Sequence, residues 1–330
     1  MTVTYRPVLV APDSFKGTLT AQEVAEAIGR GLAGAGLPGA DLAPLADGGE
    51  GTATVLCERL GGETHTASAT DPLGRTRDAS FVLLADGKTA VVEVAQASGL
   101  NAVSESERDA EAASSGGTGE LILAALAAGA SHVLVAAGGS ASTDGGVGAI
   151  AAVSDGGGLG GAKLTVLCDV RTPFELAAAR FGPQKGADSA AVARLSARLL
   201  ALAQQLPRDP RGIPMSGAAG GLAGGLWASF GAQLTPGAPY VLDALDIDRR
   251  LRASRAVIVG EGRMDTTTLE GKAAGEVATR ARQMGVPAHA IVAINAITRF
   301  DQRILDLQTI LEARDLGQIE CAAAQLAARL

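Results

Sequence analysis

Four times in this chain a short apolar run ends in a turn where glycine sits beside a charged residue, usually with a hydroxyl close by. The turns are Pro12–Gly17, Asp47–Thr52, Gly138–Gly146 and Gly260–Asp265. Phe181–Gly186 is a fifth cluster of the same kind, without so clear a strand before it. A strand that stops at such a corner and feeds a helix is the repeating unit of a parallel α/β sheet, whose ligand loops lie at the carboxyl ends of the strands. Glycine there leaves backbone N–H groups open to an anion, and the following helix N-terminus adds partial positive charge.

The rest of the pattern agrees with this class. Pro7–Ala11 reads as a strand, and Thr20 to Glu23 forms a capping box that opens a helix. Leu42–Ala46 reads as a second strand, followed by a helix to about Leu60. Thr64–Thr70, Ala79–Leu84 and Thr89–Val94 are separated by Asp-Pro-Leu-Gly and Ala-Asp-Gly-Lys turns, which predicts an antiparallel meander. Ser104 with Glu107 predicts a capped helix, and His132–Ala136 and Lys163–Leu167 read as strands. Helical patterns cover 187–206, 218–230 and 243–251, and the strand Ala256–Val259 runs into the Gly260 turn. Thereafter a helix from Ala273, a strand Ala288–Ala293, a helix near Phe300, a strand Gln308–Leu311 and a final helix alternate. The expected architecture is two α/β domains. One, residues 1–61 with 252–330, is doubly wound with a mostly parallel sheet; the other, inserted at 62–251, has a mixed sheet containing the meander. A length of 330 residues exceeds what one core usually fills.

Composition removes several functions. A net charge of −7 disfavours nucleic-acid and anionic-membrane partners. The most apolar stretch, Leu121–Ala137, is broken by Gly129, Ser131 and His132. Met1–Val10 has only a short apolar run before Pro12 and Asp13, which argues against a signal peptide. The cysteines Cys57, Cys168 and Cys321 lack metal-ligand spacing and cannot all pair, so a reduced, cytoplasmic setting is expected. The only histidines, His65, His132 and His289, avoid the turns, which disfavours a Ser-His-Asp hydrolase or a histidine-ligated zinc. Proton transfer therefore falls to carboxylates or lysines.

Of 28 basic residues only five are lysine, and three of these, Lys16, Lys185 and Lys272, abut a glycine within or beside the turns. Lysine is a compact charge that meets phosphate and shifts its pKa readily, so its placement there marks a chemical demand. Asp13, Asp47, Glu50, Asp144, Asp169, Glu261 and Asp265 lie at strand ends or helix starts. They are candidates to hold magnesium or accept a proton in phosphoryl transfer, with helix capping the alternative for Asp144 and Asp265. No G-x-x-x-x-G-K-[ST] phosphate loop is present. Gly29-x-Gly31-x-x-Gly34 and Gly156-x-Gly158-x-x-Gly161 match a dinucleotide fingerprint but not between a strand and a helix.

Ala11–Gly17, Ala46–Thr52, Gly117–Ile122, Gly138–Gly146, Phe181–Gly186 and Gly260–Asp265 together closely resemble the bacterial glycerate kinases, in the family's order and over nearly the whole chain. The resemblance implies an enzyme using ATP and magnesium to phosphorylate glycerate, generally at the 2-hydroxyl, in a cleft between two domains. On that basis Asp13 is the first choice for the base and Asp169 the second. Lys16 and Lys185 would stabilise the transferred phosphate, and Arg263 would assist or bind the glycerate carboxylate. Asp47, with Glu50 or Asp144, would hold magnesium, with Glu261 and Asp265 as further candidates. Ser14, Gly48, Gly49, Gly117, Thr118, Gly138, Gly139, Ser140, Thr143, Gly145, Gly260, Gly262 and Lys272 are the expected substrate and phosphate contacts. Homodimerisation is left open. The chain departs from the family in a short 148–163 segment, in the absence of glycines from 172–180 and 290–298, in Ala110 for proline, and in Ala112-Ala113 for a threonine pair. A kinase for another small hydroxy acid, or a silent glycerate sensor, are the alternatives.

Overall fold

In a computed structural model, residues 6–330 are described; the reading of the first five residues of Met1–Val10 lies outside them. The strands in chain order are β1 (Val8–Pro12), β2 (Asp41–Leu42), β3 (Gly62–Thr70), β4 (Thr76–Leu84), β5 (Thr89–Glu93), β6 (His132–Ala136), β7 (Lys163–Cys168), β8 (Gln233–Pro236), β9 (Ala256–Met264), β10 (Ala288–Asn295) and β11 (Leu307–Glu312). They form two sheets in two compact units, one comprising the chain up to Asp47 with 238–330, the other 48–237.

The first unit carries a wholly parallel sheet in the order β11-β10-β9-β1-β2. Val8, Val10, Ile258 and Ile291 pack under the helices Ala21–Gly34 and Leu316–Ala327. The alternating Leu9, Val257 and Val259 are equally buried and point to the opposite face. The helix Ala273–Met284 packs against β1, β9 and β10. Gly31 has a packing purpose: a Cβ there would lie 2.2 Å from the Glu320 carbonyl oxygen, so glycine lets the two helices meet. That accounts for the middle glycine of the apparent fingerprint at 29–34. Counted along the chain, the strand order is that of a doubly wound sheet whose topological switch lies between β1 and β9.

The second unit has a mixed sheet, β3-β4-β5-β6-β7-β8, antiparallel from β3 to β5 and parallel from β5 to β8. Its core joins Val92, Val133, Val135 and Val166 to Leu121, Ile122 and Leu226 on the flanking helices. Among the described residues no helix is long and apolar enough to cross a membrane.

The structure departs from the sequence reading in several places, among them the unforeseen strand β8 and the helix Gly237–Ala244 after it. The units divide at 47/48 and 237/238 rather than 61/62 and 251/252. The helix Thr52–Leu60 packs on β4 and β5, and Arg280 ties Asp243 (2.7 Å) and Asp248 (3.1 Å) into the first unit. Ser104 and Glu107 make their capping contacts (Ser104 hydroxyl to Glu107 Oε2, 2.8 Å), yet only a single 3₁₀ turn, Glu105–Glu107, follows. The 42–46 strand is cut to Asp41–Leu42, although Ala43 N and Leu45 N still donate to Val10 and Pro12 carbonyls. The helix expected over 218–230 opens as a 3₁₀ turn, Ala218–Gly221, before the α-helix Leu222–Phe230. Finally β9 runs on through Met264, so Gly260 and Gly262 lie within a strand and not in a turn.

Gly220, with φ of +66°, braces the glycine-rich 138–146 loop: its carbonyl accepts from Gly145 N at 3.1 Å, and a Cβ would lie 2.0 Å from the Ser142 carbonyl oxygen. Gly157 has φ of +98° but open space around it. Gly157→Ala should lose about 1–2 kcal/mol, the left-handed backbone cost alone. Gly220→Ala should lose about 1–3 kcal/mol more from overlap; urea denaturation of the two variants separates the terms, and equal losses would refute the bracing role.

Candidate active site

Within the first unit the carboxyl ends of β1 and β9 form the switch-point crevice. Asp13 N donates to the Gly260 carbonyl at 2.8 Å, so the two strands stay zipped to the point where Asp13 turns inward. The Asp13 carboxylate is buried and accepts from Ser14 N at 2.7 Å. Burial above all, and then the negative charge of Asp47, pushes its pKa up to about 7; Lys16 and the Ser14 N–H oppose the rise. Lys16 Nζ lies 3.2 Å from Asp47 Oδ2, with the lysine largely exposed and the aspartate buried. Across the crevice Glu261, raised by burial, accepts from Thr268 Oγ1 (2.7 Å) and Lys272 Nζ (3.3 Å). Arg263 Nε is 3.3 Å from Asp265 Oδ2. Asp13, Lys16, Asp47, Glu261, Arg263 and Lys272, with Ser14, Phe15, Ala293 and Ile294, line a cavity of about 360 Å³.

Two expected ligand groups here have other partners. Asp265 caps the turn Thr266–Glu270, accepting from Thr267 N at 2.9 Å, which realises its capping alternative. A Cβ at Gly260 would lie 2.9 Å from the Ile291 carbonyl oxygen, and one at Gly262 3.3 Å from Phe15 Cα. Both glycines allow backbone to approach backbone.

The second unit gathers its own set. A Cβ at Gly138 would fall 2.5 Å from Gly49 Cα and 3.4 Å from Asp169 Oδ2, so the 48–51 loop, the start of the 138–146 loop and Asp169 are neighbours. Leu100 N donates to the Gly139 carbonyl at 2.8 Å and Ala141 N to the Ser98 carbonyl at 2.9 Å, fixing that loop from outside. Lys185 is buried, with only 2 % of its surface exposed; Nζ donates to Ser140 Oγ (2.8 Å) and the Ser142 carbonyl (2.5 Å). Burial pushes its pKa down to about 8, against the pull of Asp144 and Asp169. The Thr143 hydroxyl is buried without a hydrogen-bond partner among the described residues.

Asp144 is a loop brace: Oδ2 accepts from Ser115 N (2.9 Å), Ser115 Oγ (2.7 Å) and Gly148 N (3.1 Å), and Oδ1 from Gly146 N (3.0 Å). Little lone-pair capacity remains for a metal. Glu50 is exposed and accepts from Asn101 Nδ2 at 3.2 Å. Thr118 is buried, its hydroxyl donating to Ser98 Oγ at 2.9 Å, while a Cβ at Gly117 would lie 1.9 Å from the Thr70 carbonyl oxygen. Gly145 is packed against Leu202 and Phe174. Sequence reasoning missed Glu93, Ser115 and Thr268. Glu93 had a signal, a lone carboxylate closing the apolar run Val91-Val92; the two hydroxyls had none, since serine and threonine suit any turn.

The glycerate kinase family model matches residues 8–155 and 157–318. Glycerate kinase of Halalkalibacterium halodurans is 39% identical over 321 residues, covering 86% of this chain and 84% of that one. Glycerate 2-kinase of Escherichia coli is 37% identical with the same coverage. A crystal structure from Salmonella typhimurium LT2, provisionally named glycerate kinase 2, superposes with a TM-score of 0.80 at 34% identity and 98% coverage of both chains.

Burying a lysine carries a desolvation cost, which the hydrogen bonds of Lys185 to Ser140 and Ser142 offset in part. Lys185→Met should lower stability by about 1–3 kcal/mol through the acceptors it leaves unpaired, and lower turnover by at least about 100-fold, the scale of a lost phosphate-stabilising cation. Calorimetry with a steady-state assay tests this, and near-normal turnover would remove Lys185 from the chemistry.

Proposed function

The chain belongs to the glycerate kinase family, and from that premise we propose that it transfers the γ-phosphoryl group of ATP to the 2-hydroxyl of D-glycerate. The observation that carries the mechanism is Asp13: a buried carboxyl at the β1–β9 switch, with a pKa pushed up to about 7. Such a group is poised to take a proton near neutral pH. As the glycerate oxygen bonds to the γ-phosphorus, its proton passes to Asp13 and the bond from that phosphorus to the β–γ bridging oxygen breaks, releasing ADP. Phosphoryl transfer asks for little covalent participation beyond this, so positioned cations supply most of the rate.

Lys16, Lys272 and Arg263 surround the first-unit cavity. In this reading Arg263 pairs with the glycerate carboxylate as a planar fork, and Lys16 meets the transferred phosphate. In the second unit Lys185 and the 138–146 loop hold nucleotide phosphate. Among the described residues no group of three His, Cys, Asp or Glu gathers as a metal cage. Magnesium needs none, since it commonly keeps waters and takes one or two carboxylates with the phosphates. Asp47, whose charge already raises Asp13, fits that requirement. The ion would neutralise charge on the nucleotide's phosphates. Ala293 and Ile294 line the cavity in the segment that lacks the family's glycine, which keeps a neighbouring small hydroxy acid as the second reading of the acceptor.

Three measurements test the proposal. Phosphorus NMR of the product should show 2-phosphoglycerate; 3-phosphoglycerate would overturn the choice of hydroxyl, and no ADP release with any small hydroxy acid would overturn the kinase reading. The value of kcat/KM should rise with pH through about 7 as Asp13 loses its proton, and Asp13→Asn should abolish this limb with a fall of about 10²–10⁴-fold. Stability should run the other way. The folded state holds the Asp13 proton more tightly than the unfolded chain does, so its contribution is present below the unfolded pKa and lost as pH rises through about 7. Asp13→Asn should accordingly melt higher than the parent at pH 8.

A further inference from the structure

Glu93 is a carboxylate with no place in the chemistry above. It closes β5 in the second unit, is 3 % exposed, and meets no salt-bridge partner among the described residues. Burying an unpaired carboxylate is costly unless several donors satisfy it. Its donors come from one place. Glu93 Oε1 accepts from Ala53 N at 2.8 Å, and the Gly51 N–H faces the same carboxylate. Gln96 adds its amide, oriented by the Ser80 hydroxyl donating to Gln96 Oε1 at 3.1 Å.

Gly51 and Ala53 flank the start of the helix Thr52–Leu60, which has no cap of its own because Gly51, with φ of +91°, carries no side chain. Glu93 is therefore a cap supplied from another strand, and the anion also meets the positive end of the helix dipole. What the cap fixes is the loop before the helix. Gly49 in that loop is in close contact with Gly138, and a Cβ at Gly48 would lie 2.8 Å from Gly237 Cα.

We propose that Glu93 is a positioning residue for the phosphoryl-transfer reaction: by clamping the first turn of helix Thr52–Leu60 to β5 it holds Gly48–Glu50 in register against Gly138 and Asp169. The inference rests on the kinase reading for its kinetic arm only. The clamp acts through backbone amides, so it is distinct from any direct contact of Glu93 with substrate.

The test compares Glu93→Gln and Glu93→Leu in the full chain, by steady-state kinetics and by hydrogen exchange resolved to single amides. A hydrogen bond to a charged group contributes about 1.5–3 kcal/mol, or roughly 10–100-fold in a rate that depends on it. Glu93→Leu should lower kcat by about that factor and expose the Gly51 and Ala53 amides to exchange, with the β5–β6 amides still protected. Glu93→Gln keeps one acceptor oxygen and should recover most of the kcat and the Ala53 protection. Protection of Gly51 and Ala53 unchanged in the leucine variant would overturn the clamp. Lost protection with full turnover would overturn its role in the reaction. If the leucine variant fails to fold, the glutamine variant decides: Gly51 exchange accelerated with kcat lowered supports the proposal, and parental values of both sink it. A parent chain inactive on every hydroxy acid tried would refute the kinase reading while the exchange arm still reports on Glu93.

Discussion

The parallel pairing of β1 with β9 is the constraint on which the first unit rests. It joins Val8–Pro12 to Ala256–Gly260, segments with the whole second unit between them in sequence. A long loop costs only slowly growing closure entropy, so an insertion of this size is tolerable once the sheet register repays it. The register is specified because both faces are buried: slipping one residue would exchange Val8 and Val10 with Leu9 and spoil the fit to both helix layers. The same pairing creates the switch point, since the chain turns from β1 outward to β2 on one side and arrives at β9 on the other. Asp13 and Glu261 emerge there from adjacent strands, so the crevice is a consequence of topology before any side chain is chosen.

Each unit then buries charge at a desolvation cost. Asp13 and Glu261 in the first unit, and Lys185 and Glu93 in the second, are all moved toward their neutral forms by desolvation. Structural ion pairs elsewhere behave differently: Arg280 is held by Asp243, Asp248 and Glu276, and its pKa rises. The contrast is between charge held by a cluster of opposite charges and charge held mainly by uncharged donors and acceptors, as Glu93 is by Ala53 N and Lys185 by Ser140 and Ser142. Buried groups with shifted pKa values gather at functional sites because proton and phosphate chemistry need them there.

Much of this was legible in the sequence, and for identifiable reasons. Strand-to-helix corners are punctuated by glycine and proline, so the elements and the α/β class could be read from Pro12–Gly17, Asp47–Thr52 and their counterparts. The meander was legible from its two hairpin turns. What escaped was decided by tertiary context. The Ser104 box satisfies local capping rules, but only one turn forms, and the Asp109 carboxylate then takes the Glu111 and Ala112 amides at 2.9 and 3.1 Å. The extension of β9 through Met264 depends on pairing with β10, where Ile294 meets Arg263 and Asn295 meets Met264, a register no local pattern encodes. The division at Asp47 rather than at the end of the following helix depends on that helix packing against β4 and β5.

The glycines carry the sharper lesson. A glycine beside a charge looks the same whether backbone amides are to meet a phosphate or two backbones are to meet each other. At Gly31, Gly117, Gly260 and Gly262 the space a Cβ would fill is occupied by protein, so packing alone explains the residue. Gly138 and Gly49 press on one another, so the loops they belong to are shaped by mutual contact whatever else they hold. Lysine carries different information: Lys185 is enclosed at a desolvation cost, braces the 138–146 loop through Ser140 Oγ and the Ser142 carbonyl, and has its pKa pushed down to about 8. A residue that is costly to bury therefore narrows a search more than a glycine does, because the space around a glycine can be filled by backbone alone.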